Sequence, residues 1–472
     1  MQTKRITNGL MALVSVQILV VLLICMMPNE LENVYRHVYI VNLLCLVISI
    51  ILLIKLYLKN RLDIFEPIVL ISMIYITMYF FTPIYDIYIG ELMWYGYDLF
   101  QYGIKATFIE FIGFLVFFIC YQKKFKLISY DKYKVLKNKK NDRLKISIIL
   151  ILIMYLFCFL ANAFYLMKYN GNGLLYILTL GMFGGGGTVQ TTEASIGFIS
   201  MFSYSLPTIT LLYWEFGKSK ILKVILFVPM LMLQVARGFR FFILQIAITF
   251  FAYYYIKNKK RPKFADIFIT FLILMIPILL MTLFRDSIRG GKGIDISTLD
   301  ISTVRYAFEA AVWDNFRIYQ NFYGMVNVIP SQYPYVFGRQ MILGTIFMVI
   351  PRIVWPGKIS SYGGYGLSTL IGSRIAGGQA YPNVGEYYYA GGIIGVILCM
   401  GLYGMWMRRV KNKFMYSKNP LDVIKYSILL GVNLQLIIRG YTPSNFWYVF
   451  FAILPIWIIR HFGIKREKIY GK

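Results

Sequence analysis

Long apolar runs alternate with short polar segments along almost the whole chain. The runs fall at about 9–27, 38–58, 66–84, 103–121, 146–167, 195–215, 221–236, 240–256, 265–284, 388–407, 424–438 and 446–460. Most reach the roughly 17 to 25 residues that carry a helix across the hydrocarbon core of a bilayer. Segments of about ten residues with strict apolar–polar alternation are absent, which excludes a transmembrane β-barrel. The pattern therefore predicts an all-α, polytopic helical membrane protein with about twelve transmembrane helices. One run breaks it. "MILGTIFMVI", residues 341–350, is apolar but too short to span, and it predicts a re-entrant or interfacial segment.

Charge then assigns the sides. Lys and Arg crowd the segments between runs: Lys4 and Arg5; Lys55, Lys59 and Arg61; "KKFKLISYDKYKVLKNKKNDRLK"; Lys218 to Lys223; "KNKKRPK" from Lys257; "RRVKNK" from Arg408; and "KREK" near the C-terminus. Cytoplasmic loops carry that excess. Placing both termini in the cytoplasm puts every cluster inside. A span at 341–350 would force "RRVKNK" outside. Three regions follow: transmembrane helices one to nine in 1–284, one large extracytoplasmic loop over 285–387, and helices ten to twelve with a cytoplasmic tail in 388–472.

Composition agrees. Hydrophobic residues make up 58% of the 472 and charged residues only 15%, with a mean hydropathy of +0.63. No single soluble core hides that much apolar surface, so the solvent is lipid. The net charge of +28 is topogenic on this pattern and implies no nucleic-acid partner. Cys25, Cys45, Cys120, Cys158 and Cys399 all lie in apolar runs without C-x-x-C spacing, so disulfides and zinc are not expected. His37 and His461 flank spans near the chain ends, which leaves no histidine for catalysis or a metal site; no cofactor is expected. The first run has no small-residue cleavage site after it and reads as a retained span. No six-plus-six internal repeat is evident, which disfavours a transporter built from duplicated halves.

Some residues resist a purely topogenic explanation. "ARGFRFF" puts Arg237 and Arg240 at the tight outer turn between two spans, and "LIIRGYTPSNFW" puts Arg439 at the outer end of another. An Arg near bilayer depth costs on the order of 2–3 kcal/mol unless it snorkels or meets an anion. The large loop adds Arg352 and Lys358, in "PRIVWPGK", and Arg374. Guanidinium groups grip phosphate bidentately, so the collective outer excess points to an anionic ligand at the membrane surface. Two outer carboxylates are candidates for proton transfer. Asp314 in "AVWDNFRIYQNF" has Arg317 three residues on, a spacing that predicts an intrahelical ion pair. Glu386 in "NVGEYYYAGGIIG" is expected at the outer entrance of the tenth span, where a helix dipole would stabilise it or a substrate hydroxyl could meet it. "GMFGGGGTVQTTE" lacks a G-K-[ST] and reads as a flexible loop, with no phosphate-loop role.

Together the spans, the "RGFR" turn, the dominant outer loop with "PRIVWPGK", and "NVGEYYYAGGIIG" leading into the next span resemble the Wzy-type polymerases of O-antigen and capsular polysaccharide. The resemblance covers the whole chain. It implies a metal-independent glycosyl transfer at the outer face of the bacterial cytoplasmic membrane. Polymer on undecaprenyl diphosphate would pass to a sugar hydroxyl of an incoming lipid-linked repeat unit, with lipid diphosphate leaving. On that chemistry Arg237, Arg240, Arg352 and Arg439, backed by Lys358 and Arg374, bind the diphosphate, and Glu386, then Asp314, takes the proton or orients the acceptor. A flippase and a chain-length regulator are the implied protein partners.

Two other readings share some of these features. An O-antigen ligase-like transferase shares the architecture, but such ligases commonly carry an outer-loop histidine, and this loop has none. A lipid-linked oligosaccharide flippase would keep charge at mid-membrane and spend little chain outside; here mid-span charge is confined mainly to Lys105 and Glu110.

Overall fold

Backbone N–H and C=O groups that face lipid have no water to bond, so the apolar runs must close their hydrogen bonds within themselves, as helices. In a computed structural model, residues 17, 23, 27, 28, 32–60, 63–94, 97–122, 146–170, 199–236, 240–289, 300–314, 316–350, 354, 355, 381–415 and 419–463 are described. The first expected span lies almost wholly outside these residues. Each of the other expected spans coincides with helix. These are α1 (Asn33–Asn60), α2 (Pro67–Ile89), α3 (Gly103–Gln122), α4 (Ile148–Asn170), α5 (Leu206–Phe216), α6 (Lys220–Ala236), α7 (Arg240–Lys257), α8 (Phe264–Arg289), α12 (Asn383–Met415), α13 (Pro420–Ile438) and α14 (Thr442–Ile458). Seven helices among the described residues are long and apolar enough to cross a membrane: α1 to α4 and α12 to α14. Shorter apolar stretches, Phe242–Lys257 and Phe264–Leu279, lie in α7 and α8.

Two spans are less regular than the hydrophobic pattern suggests. Within α2, a π turn over Thr77–Phe81 precedes Thr82-Pro83; Pro83 cannot donate to a helical ladder, and the Thr82 hydroxyl instead donates to the Thr77 carbonyl at 2.7 Å. The run expected at 195–215 divides into a 3-10 turn, Ile199–Ser205, and α5, with proline in the first turn of the latter. A minimal antiparallel hairpin, β1 (Met93–Trp94) with β2 (Tyr97–Asp98), joins α2 to α3.

The described residues of the segment expected as one large loop are mostly helical and partly interior. It contains α9 (Ile301–Trp313), α10 (Tyr319–Val328) and α11 (Arg339–Met348). The ten-residue α11 covers the short apolar run and is too short to cross a membrane. Helix α10 sinks into the bundle: Tyr319, Phe322, Tyr323 and Met325 are fully buried. The Tyr323 hydroxyl lies 3.0 Å from that of Thr107 on α3 and accepts from Asn42 on α1 at 3.5 Å.

A buried ion pair fixes α10's approach. Arg317 Nε donates to Asp86 of α2 at 3.0 Å, joined by the Tyr319 hydroxyl at 2.9 Å and Gln320 at 3.4 Å. Trp313 stacks on Tyr85 beside it, with ring centroids 4.6 Å apart. Arg317 was expected to pair within its own helix with Asp314. Its guanidinium closes on Asp86 across the bundle, with Asp314 at the C-cap of α9 just before it.

At the opposite end of the bundle the basic clusters are tied down by acidic partners. Lys257 meets Glu215 at 2.7 Å, Lys411 pairs with Glu66, and Arg460 pairs with Asp422. The bundle thus has a basic end and a loop end.

Candidate functional site

The motif "NVGEYYYAGGIIG" forms a helical hairpin. Gly391 and Gly392 leave the helical region, and Gly392 sits at φ +62°, which favours glycine. Across this break the chain reverses. Asn383 reaches Met400 with its amide 3.7 Å from the sulfur, although they are 17 residues apart. A continuous helix would separate them by roughly 25 Å. A Cβ on Gly395 would lie 2.2 Å from the Tyr387 carbonyl oxygen, so the two arms touch backbone to backbone. Residues 383–390 form the short arm, and 393–415 the long arm that continues to the basic end.

The expectation that Glu386 marks the entrance of the tenth span is corrected in this respect. It lies on an arm folded back beside that span, because Gly391 and Gly392, inside the expected run 388–407, form a turn.

On the short arm Glu386 is 1% exposed. It reaches across to the turn between α13 and α14. Its Oε1 and Oε2 accept from the Thr442 amide at 3.0 and 2.9 Å, and Oε2 also accepts from the Thr442 hydroxyl at 2.5 Å. It therefore supplies, from a distant part of the chain, the anionic cap that the N-terminus of α14 would otherwise lack. The same turn closes on the root of the arm: the Gly440 amide donates to the Tyr381 carbonyl at 2.7 Å, and a Cβ at Gly440 would meet the Pro382 oxygen at 2.3 Å. Arg439, half-buried, immediately precedes these two anchors, and its own carbonyl accepts from Asn445 at 2.5 Å.

Helix register brings a second expected arginine to the same level. Helices α7 and α13 run antiparallel, with the Gln245 amide donating to Gln435 at 3.4 Å and Thr249 lying against Gly431. Gln435 is one turn from Arg439, and Gln245 is a little over one turn from Arg240, so Arg240 opens α7 opposite the turn that carries Arg439. Beside Gln245 lies a small cavity of about 20 Å³, room for little more than one water, lined partly by Gln245, Thr249, Tyr448 and Tyr204. The Tyr448 hydroxyl bonds Gln245 within it.

The remaining expected residues do not all join this site. Asp314 ends α9, near the Asp86–Arg317 pair. Arg237, Arg352, Lys358 and Arg374 lie outside the described residues. In "PRIVWPGK", Trp355 packs edge-on to Phe347 of α11, with centroids 5.2 Å apart.

Two buried carboxylates were not singled out from the sequence as site residues. Asp86 receives Arg317, Tyr319 and Gln320, and its signal was a lone acid in "TPIYDIYIG" near the end of a span. Glu110 is fully buried in α3 with no partner for either oxygen among the described residues, beside Tyr75, whose hydroxyl donates to the Glu110 carbonyl at 2.7 Å. No group of three or more His, Cys, Asp or Glu among the described residues is placed to hold a metal ion.

A helical membrane bundle whose loop end gathers arginines, a buried carboxylate and a threonine hydroxyl suits the handling of an anionic, hydroxyl-rich substrate. The comparison with protein families decides the assignment: the profile of the O-antigen polysaccharide polymerase Wzy family matches residues 11–467. The chain belongs to this family. It is therefore a multi-pass membrane protein of the Wzy class, a glycosyltransferase-type polymerase acting on lipid-linked oligosaccharide. A search of curated proteins finds no match, and a search of solved structures finds none either.

Proposed function

We propose that this Wzy protein joins repeat units carried on undecaprenyl diphosphate into O-antigen or capsular polysaccharide, at the outer face of the bacterial cytoplasmic membrane. In this reading about twelve helices span, both termini are cytoplasmic and residues 285–387 are extracytoplasmic. The basic end then faces the cytoplasm, as the charge rule requires. One observation carries the reading: Arg439, the start of α7 with Arg240, and the Glu386-bearing arm converge at the loop end.

The chemistry follows from that convergence. Arg439 and Arg240, with Arg237 three positions before Arg240 in the sequence, hold the donor diphosphate and neutralise the negative charge that builds on it as the glycosidic carbon–oxygen bond breaks. Arg352, Lys358 and Arg374 add positive charge from the loop. The acceptor hydroxyl attacks the anomeric carbon and gives its proton to Thr442 Oγ1. Thr442 in turn passes its own proton to Glu386 Oε2, which it already touches at 2.5 Å. Glu386 is buried, so a substrate reaches it only through Thr442. Asp314 is the second candidate for the proton. Lipid diphosphate departs with the bonding electron pair, and no metal takes part. A flippase supplies the substrate and a chain-length regulator acts on the product.

The test is surface polysaccharide, resolved by gel, from a deletion strain complemented with wild type, Arg439→Ala or Arg240→Ala. Wild type restores a ladder over single repeat units, and either arginine variant, expressed at normal level, leaves single units. Full-length polymer that accumulates unattached in the deletion strain would establish the ligase-like reading instead. Absence of repeat units from the outer face would establish transport.

A further inference from the structure

We propose that the aromatic stripe on α14, with the exposed face of α11 beside it, is the rail on which the isoprenoid tail of the lipid diphosphate lies. The inference rests on the reading that Arg439 and its neighbours hold that diphosphate. Phe446 and Phe450 are exposed on α14, one and two turns beyond Thr442. Trp447 lies between them, its ring centroid 5.4 Å from Phe446 and 5.3 Å from Phe450. Its indole N–H donates to the Thr345 carbonyl of α11 at 2.9 Å, which fixes the ring. Ile342 and Ile346, on either side of Thr345, are exposed along the same edge.

Exposed apolar side chains are ordinary on a helix that faces lipid; α8 shows Phe264, Phe268 and Phe271 in the same way. Three things set the α14 stripe apart. It begins one turn from the Thr442–Arg439 turn, so a diphosphate held there delivers its tail at Phe446. A second helix, α11, lies alongside and adds its exposed Ile342 and Ile346 to the apolar edge. And the central Trp is held by a hydrogen bond. From Thr442 to Phe450 the stripe runs about 12 Å along the helix, enough for the isoprene units next to the headgroup.

Because the competing lipid is as apolar as the tail, no hydrophobic gain favours the rail. What remains is contact: flat, methyl-branched alkene units against aromatic faces, whose preference over acyl chains comes from dispersion and ring packing. Two rings therefore account for a discrimination of roughly 3- to 10-fold.

The experiment uses the full chain reconstituted in vesicles. It compares turnover of one repeat unit carried on undecaprenyl diphosphate and on a straight-chain saturated alkyl diphosphate of similar length. For wild type, kcat/KM favours the isoprenoid tail. In Phe446→Ala/Phe450→Ala that preference falls roughly 3- to 10-fold through KM, while a detergent melting curve that matches wild type serves as the control for folding. Phe446→Leu/Phe450→Leu, which keeps bulk without rings, falls part of the way. Phe264→Ala/Phe268→Ala/Phe271→Ala on α8 keeps the wild-type preference. An unchanged preference in the α14 variant overturns the rail, and so does an equal loss in the α8 variant. If wild type turns over neither substrate, the polymerase reading fails and the rail fails with it.

Discussion

At the scale of single residues, the decisive contact is that of Glu386 with Thr442. The sequence analysis offered Glu386 two roles, a dipole-stabilised helix start or a group acting on the acceptor, and the contact combines them in an unexpected way. The carboxylate caps a helix, but the helix is α14, reached across 56 positions of chain. A relay through the hydroxyl separates from a mere cap by substitution. Thr442→Val keeps the backbone amide that Glu386 binds and deletes the hydroxyl. It should lower polymerisation by roughly 10²–10⁴-fold at normal expression, while Thr442→Ser retains it. A full ladder from Thr442→Val would leave Glu386 as a brace only. Gly392 gives a second residue-scale prediction. Gly392→Ala should cost about 1–3 kcal/mol, because φ +62° strains an L side chain and the Tyr335 ring lies 3.0 Å from where the Cβ would go. A detergent melting curve identical to wild type would contradict the hairpin. The glycines were visible in the motif, but a Gly-Gly pair inside an apolar run reads equally as tolerated helix, and the contacts of Asn383 with Met400 and of Gly395 with Tyr387 distinguish the two.

Elements show why helix positions were legible and loop structure was not. Helices in lipid are dictated by hydropathy and length, which a single sequence displays. The path of α9 and α10 depends on one buried pair, Asp86 with Arg317, whose partners are 231 positions apart. No local rule joins them; local spacing favoured Asp314 instead. Asp86→Asn leaves the Arg317 cation facing a neutral group, so it should destabilise the α2–α10 contact by up to about 3–5 kcal/mol. Arg317→Gln added to it should recover part, with a coupling of about 0.5–3 kcal/mol in a double-mutant cycle read by limited proteolysis of the loop. Strict additivity would mean the pair does not anchor α10. Helix α9 has its own anchor, Asp300, whose carboxyl is held down to about 2 by hydrogen bonds from the Thr303 side chain and amide and from Ser302. A carboxyl held below its unfolded value of about 4 stabilises the helix at neutral pH and loses that contribution as pH falls from about 4 toward 2. In hydrogen exchange the amides of the first turn of α9 should therefore open in Asp300→Ala at neutral pH, and in wild type only under acid.

For the whole molecule, charge decides what hydropathy leaves open. The basic end carries Lys257, Lys411 and Arg460, each with an acidic partner, and the loop end carries α9 to α11 and the arginine turn. Sequence made that polarity visible because the positive-inside rule acts on counts of Lys and Arg, which need no structure. It could not show that 383–390 closes on 439–442, with the start of α7 level with that turn, since this depends on helix register and on a chain reversal. The polarity is itself testable. In a protein with its native cysteines replaced, Ser331→Cys, exposed at the loop end beyond α10, should react with a membrane-impermeant maleimide in intact cells. Lys260→Cys, exposed at the basic end beyond α7, should react only after the membrane is opened. The reverse pattern would place the arginine turn in the cytoplasm. The polymer would then have to form on the wrong side of the membrane, and the proposed chemistry would fall with the topology, whatever the gel showed for the arginines.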